Sequence, residues 1–115
     1  MERIFTASER ELNGMIVIDL DGEINAFADQ ELSAAYDRAE AHDTGTIVLN
    51  FQQVSYINST GIALIVGLLA RARKSGRNMA VYGLSDHYQE IFQITRLVDF
   101  MSVYSDEASL MAELG

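Results

Sequence analysis

The hydrophobic pattern changes period several times along the 115 residues. Apolar and polar side chains mix from Ile4 to Leu12, and the run Met15-Ile16-Val17-Ile18-Asp19-Leu20 follows almost at once. Asn13-Gly14 lies between them and supplies the positive φ angles of a two-residue hairpin turn. Strands are predicted over about 3–11 and 15–21. From 27 to 42 the period lengthens, and Phe27, Leu32, Ala35, Tyr36 and Ala39 can share one helical face. Asp43-Thr44-Gly45 ends that helix. Thr46-Ile47-Val48-Leu49-Asn50 is short, β-branched and apolar, the pattern of a buried strand.

Residues 60–75 read as a helix apolar nearly all round, which predicts that it is well covered. Arg71, Arg73 and Lys74 fall in its last turns, where cations meet the negative end of the helix dipole. Gly76 is placed to close it in a left-handed conformation. Met79-Ala80-Val81-Tyr82 is the next strand. Ser85 or Asp86 caps a helix reaching Phe92, Met101–Tyr104 forms a last short strand, and Ser105 or Asp106 caps a final helix over about 106–113. Strands alternating with helices predict an α/β fold. Its mixed β-sheet has an N-terminal hairpin and largely parallel later strands, flanked by about four helices. The helix at 60–75 then begins at the carboxyl edge of the sheet, where open α/β sheets place their sites.

The length suits a single domain over 1–115. Cysteine is absent, which removes disulfides, thiolate metal sites and a cysteine nucleophile. The net charge of −9 disfavours generic binding to nucleic acid or to an anionic membrane surface. The charge is uneven: residues 1–57 carry 3 basic and 11 acidic side chains, residues 58–115 carry 5 and 6. Such a first half suits a basic protein partner, or serves solubility alone. No signal-peptide pattern opens the chain, and the apolar run near Ile62–Ala70 is about half of a bilayer span. A soluble cytoplasmic protein is expected.

The most informative segment is Tyr56-Ile57-Asn58-Ser59-Thr60-Gly61. Asn58 or Ser59 can cap the following helix, a contribution of about 1 kcal/mol. One cap does not require three polar residues, however, and Gly61 lowers helix propensity by about 1 kcal/mol relative to alanine. A glycine there allows another backbone, or a bulky group, to approach closely. A hydroxyl at this place has a second use, because phosphorylation adds about −1.5 to −2 charges at the positive end of a helix dipole. The fold tolerates an anion there, whereas a partner matched to a neutral hydroxyl does not. Tyr56 and Phe27 are candidates to flank the hydroxyl. Asp19, Asp21 and Glu23 alternate along the second strand and read as a solvent face or an acidic partner patch. His42 and His87 lack companion ligands, so no metal or cofactor is expected. Ser59 has no evident catalytic partners, so an enzyme is not expected.

The chain resembles the STAS domain family, and within it the stand-alone anti-sigma factor antagonists. The resemblance is carried by Leu20-Asp21-Gly22-Glu23-Ile24-Asn25, by Ile47-Val48-Leu49-Asn50-Phe51, by Val54–Ile62 and by the strand after Gly76. It implies a protein-binding module whose partner is an anti-sigma factor that is itself a serine/threonine kinase. The unmodified module sequesters that partner, and the phosphorylated module releases it. A serine phosphatase of the metal-dependent type resets the cycle, and ATP and metal belong to the partners. By position the phosphoacceptor falls on Ser59, with Thr60 as secondary acceptor, and Asn25, Asn58, Thr60 and Gly61 form the supporting and partner-contacting loops. The family's acidic residues at two of these positions are Asn25 and Asn58 here. Both departures remove a negative charge but keep hydrogen-bonding capacity. Partner contacts are expected from loops 22–29 and 54–61 and from the exposed face of helix 60–75, on a monomer rather than a stable oligomer. Two other readings are a constitutive accessory subunit of an ABC-type transporter ATPase and a module sensing a small ligand or nucleotide.

Overall fold

The Asn13-Gly14 turn brings β1 (Thr6–Leu12) back along β2 (Met15–Ile24) as an antiparallel hairpin. Both turn residues hold positive φ, 53° and 85°, as this turn requires. The computed structural model describes residues 4–115. A single 3₁₀ turn at Ala26–Ala28 leads into α1 (Asp29–Glu40), then β3 (Thr46–Ile57) and α2 (Ser59–Lys74). β4 (Asn78–Tyr82), α3 (Asp86–Ile94), a second 3₁₀ turn (Leu97–Asp99), β5 (Ser102–Tyr104) and α4 (Glu107–Leu114) complete the order. The sheet runs β1-β2-β3-β4-β5, with every pair after the hairpin parallel. The mixed sheet with four α-helices is the architecture the alternating pattern predicts.

Strand alternation sorts the core into two layers. Ile16, Ile18 and Leu20 of β2, Ile47, Leu49 and Phe51 of β3, and Met79 and Val81 of β4 pack beneath α1, α2 and α3. Phe92 of α3 meets Phe51 edge to face, with ring centroids 6.0 Å apart. The opposite side presents Met15, Val17, Val48, Ala80 and Tyr82, which pack with Leu110 of α4. Strands buried on both faces read as continuous apolar runs, as Met15–Ile18 does.

A polar network fastens α4 to this second face. The Arg10 guanidinium donates to Asp19 at 2.7 and 3.2 Å, to the Tyr82 hydroxyl at 3.1 Å, and to Glu107. Tyr82 donates to Glu107 at 2.6 Å, and the Asn50 amide donates to Asp19 at 2.8 Å. Burial alone would raise the Asp19 carboxyl, but the bonds from Arg10 and Asn50 outweigh it and hold the group below its ordinary value. Arg10 and then Tyr82 likewise lower Glu107. Asp19 is therefore half-buried and paired. Register shifts around Asp21 and Gly22 also break the simple alternation expected of Asp19, Asp21 and Glu23.

Several expected boundaries move. β1 starts at Thr6; of the predicted strand, residue 3 lies outside the described residues, and Ile4 and Phe5 are not strand. β3 continues past Asn50 to Ile57 because β2 pairs with it as far as Ile24↔Ile57. Local hydrophobicity carries no sign of that extension, since the added pairing comes from the neighbouring strand. Ser85 and Asp106, each the capping residue of its helix, accept from the backbone N–H groups of Tyr88 and Ser109. The basic cluster is largely tied up at helix ends. Arg71 bridges Asp37 and Glu40 and lies 4.4 Å over the Tyr36 ring, Arg77 pairs with Glu40, and Arg73 lies over Phe100.

Candidate functional site

At the carboxyl end of β3 the chain turns directly into α2, and Asn58 makes the turn. Its backbone is extended and its side-chain oxygen accepts from the Gly61 N–H at 2.8 Å. The Asn58 carbonyl accepts the first helical bond, from Ile62, at 2.9 Å. Of the two capping candidates, Asn58 therefore does the work. Ser59 and Thr60 follow, both exposed, and neither hydroxyl takes part in a hydrogen bond among the described residues. No acidic residue lies in the first turn of α2. The hydroxyl of Ser59 thus stands at the positive end of a 16-residue helix with no anion in that turn.

The turn is locked to its neighbours on both sides. The Asn58 N–H donates to the Ile24 carbonyl at the end of β2, at 3.2 Å. A Cβ on Gly61 would stand 2.1 Å from that same carbonyl oxygen and 2.9 Å from the Ile57 side chain. Only glycine lets the first turn of α2 rest this closely on β2. On the other side the Ile57 N–H donates to the hydroxyl of Tyr88, a buried residue of α3, at 2.8 Å. Tyr88 and the Ile24 carbonyl are site-forming groups that the sequence pattern does not single out. Tyr88 reads as one more core aromatic, and a backbone carbonyl leaves no trace in residue identity.

The structure brings Asn25 to the same edge. Its side chain accepts from the Phe27 N–H at 2.9 Å, and its carbonyl accepts from Ala28 at 3.0 Å, which winds the Ala26–Ala28 turn. Asn25 and Asn58 thus have parallel roles, each capping the element that follows its strand. Phe27 departs from its expected place. It lies before α1 begins and is 94% exposed, while Ala28 takes the buried position. Tyr56, beside Glu23 in the β2–β3 ladder, is also exposed.

α2 is less covered than its composition predicts. Gly61, Ile65, Leu68, Leu69 and Ala72 face the core, whereas Ala63, Val66, Gly67 and Ala70 are exposed. Phe27 and Tyr56, the two expected neighbours of the hydroxyl, are exposed as well. The stretch 54–57 is strand, so the expected 54–61 loop reduces to the junction at Asn58. His42 and His87 are exposed, and among the described residues no group of three His, Asp or Glu side chains could hold a metal ion. Among the same residues no helix is long and apolar enough to cross a membrane.

The chain belongs to the STAS domain family, whose model matches residues 7–110. It is 31% identical over 86 residues to the anti-sigma-B factor antagonist of Staphylococcus aureus, an alignment spanning 75% of this chain and 80% of that protein. The crystal structure of an anti-sigma factor antagonist from Mycobacterium paratuberculosis has the same fold, with a TM-score of 0.80 at 18% identity over 95% of this chain and 93% of that one. The Bacillus cell fate determinant SpoIIAA, solved in its phosphorylated form, superposes with a TM-score of 0.70 at 22% identity, covering 96% and 99% of the two chains.

Proposed function

We propose that this chain is an anti-sigma factor antagonist, a binding protein rather than an enzyme, switched by phosphorylation of Ser59. The observation that carries the reading is the separation of tasks at the turn. Asn58 caps α2, which leaves the Ser59 hydroxyl exposed and unengaged. The names of the curated relatives support the functional class, and the solved phosphorylated relative supports the chemistry.

In this reading the unmodified chain sequesters an anti-sigma factor that is also a serine/threonine kinase. That kinase transfers the γ-phosphoryl group of its ATP to Ser59 Oγ, breaking the β–γ phosphoanhydride bond and releasing ADP, and the hydroxyl proton leaves to a base on the kinase. The added charge is stabilised by the helix N-terminus, so the domain stays folded. The uncharged stretch along α2 no longer fits its partner, and the complex parts. Thr60 is the secondary acceptor, and Asn25, Asn58 and Gly61 hold the two turns in place. A metal-dependent serine phosphatase restores the hydroxyl.

The test is titration of the wild-type chain, Ser59→Ala and Ser59→Asp against the anti-sigma factor kinase of the same genome, with phosphosite mapping by mass spectrometry. Ser59→Ala should bind as the wild type and stay bound in ATP. Ser59→Asp should bind at least about tenfold more weakly, equivalent to 1.4 kcal/mol, with an unchanged urea midpoint. Equal binding by all three, with no phosphate on Ser59 or Thr60, would leave a constitutive binding module instead.

A further inference from the structure

Phe27 is an unusual residue to leave in water. It is 94% exposed on a turn held by two hydrogen bonds to Asn25, and it lies three residues from Ile24, whose carbonyl accepts from Asn58 beside the acceptor serine. Isolated exposed apolar side chains need no explanation, but this one belongs to a patch. The 3₁₀ turn packs against α2, on which Ala63, Val66 and Gly67 are exposed, and Tyr56 is exposed just before that helix begins. Residues 11–37 carry seven acidic side chains and no basic one, and residues 44–70 carry no charge at all. The patch is thus neutral along α2 and rimmed with anions, including Asp21, Asp29 and Glu31, all exposed, on the Phe27 side.

We infer that Phe27 is the anchor through which the unmodified chain docks, an aromatic side chain entering an apolar pocket with a basic rim on its anti-sigma factor. The inference rests on the proposed switch and adds its specificity determinant. Large aromatics that bury about 150–250 Å² at the centre of an interface are the usual hot spots. The Asn25 cap fixes the turn before binding, so docking costs little further ordering. Phosphate on Ser59 falls in the uncharged stretch 44–70, away from the acidic rim, and burying a charge there against an apolar pocket is costly.

The experiment is calorimetric titration of wild type, Phe27→Ala, Phe27→Leu and Ile94→Ala against the anti-sigma factor kinase of the same genome, with sedimentation of each variant alone. Ile94 is 73% exposed at the end of α3 and serves as the control for loss of a surface apolar residue. Phe27→Ala should weaken binding about thirtyfold or more with circular dichroism and Tm unchanged, Phe27→Leu should retain most of the affinity, and Ile94→Ala should stay within about threefold. Wild-type binding matched within threefold by Phe27→Ala overturns the anchor and leaves the switch standing. A self-associated wild type that Phe27→Ala dissociates assigns the patch to a second copy and overturns it as well. A wild-type chain that binds no such kinase removes the switch reading, and the anchor with it.

Discussion

Gly61→Ala sets two effects of opposite sign against each other at one atom. By helix propensity alone the change stabilises, by about 1 kcal/mol. By geometry the new Cβ lies 2.1 Å from the Ile24 carbonyl oxygen and 2.8 Å from its carbon. Ordinary contact needs the first turn of α2 to retreat by roughly 1 Å from backbone that cannot rotate aside. Overpacking of this kind costs about 1–3 kcal/mol. The retreat also stretches the 3.2 Å bond from Asn58 N–H to Ile24, worth about 1 kcal/mol. The balance is a net loss on the order of 1–3 kcal/mol, so steric contact wins over propensity. In urea, with a slope of about 1–3 kcal/mol/M, the midpoint should fall by roughly 1 M. Amide exchange should quicken first at Asn58 and Ile62, before the core strands respond. A midpoint equal to or above wild type would refute the close-approach argument and leave Gly61 as a mere weak point in the helix.

Tyr88→Phe removes one oxygen and leaves the buried Ile57 N–H without its 2.8 Å acceptor, a loss of about 1–3 kcal/mol read from urea unfolding, with faster exchange at the Ile57 amide. Acid should loosen α4. The Asp19 and Glu107 carboxyls both have folded values below their ordinary ones, so their stabilisation is fully present above the unfolded values near roughly pH 4 and is lost as pH falls through the folded values. Fluorescence-monitored urea midpoints should therefore drop between roughly pH 5 and 3, and the drop should be shallower in Arg10→Gln, where no guanidinium holds the two carboxyls below their ordinary values. A slope unchanged by Arg10→Gln would show that other carboxylates govern acid stability.

The parts of the fold that are legible in the sequence are those fixed by near neighbours. Asn13-Gly14 announces the hairpin, Asn58, Ser85 and Asp106 cap the helices they precede, and Gly76 closes α2 at φ 73°. What eludes a local reading depends on residues far apart in the chain. The Arg10–Glu107 pair spans 97 positions, and Asp19 reads as a surface carboxylate until α4 is laid over it. Phe27 is misplaced for a related reason. Its spacing fits the α1 stripe, but the Asn25 cap starts a 3₁₀ turn that ends before α1 begins, so its side chain leaves the helical phase. α2 is apolar nearly all round, and composition alone cannot distinguish a side covered by the core from one left exposed.

The capping bond from Asn58 has an evolutionary reach beyond the turn itself. Because the neighbouring asparagine holds the helix, exchange of Ser59 for alanine, threonine or aspartate touches no hydrogen bond of the fold. Mutation can therefore explore position 59 at almost no folding cost. If Ser59 is the acceptor proposed above, one copy can after gene duplication lose its responsiveness by a single codon change while its sister keeps the original behaviour. The same surface can in this way be passed between regulated and permanent partnerships without a new scaffold having to be built.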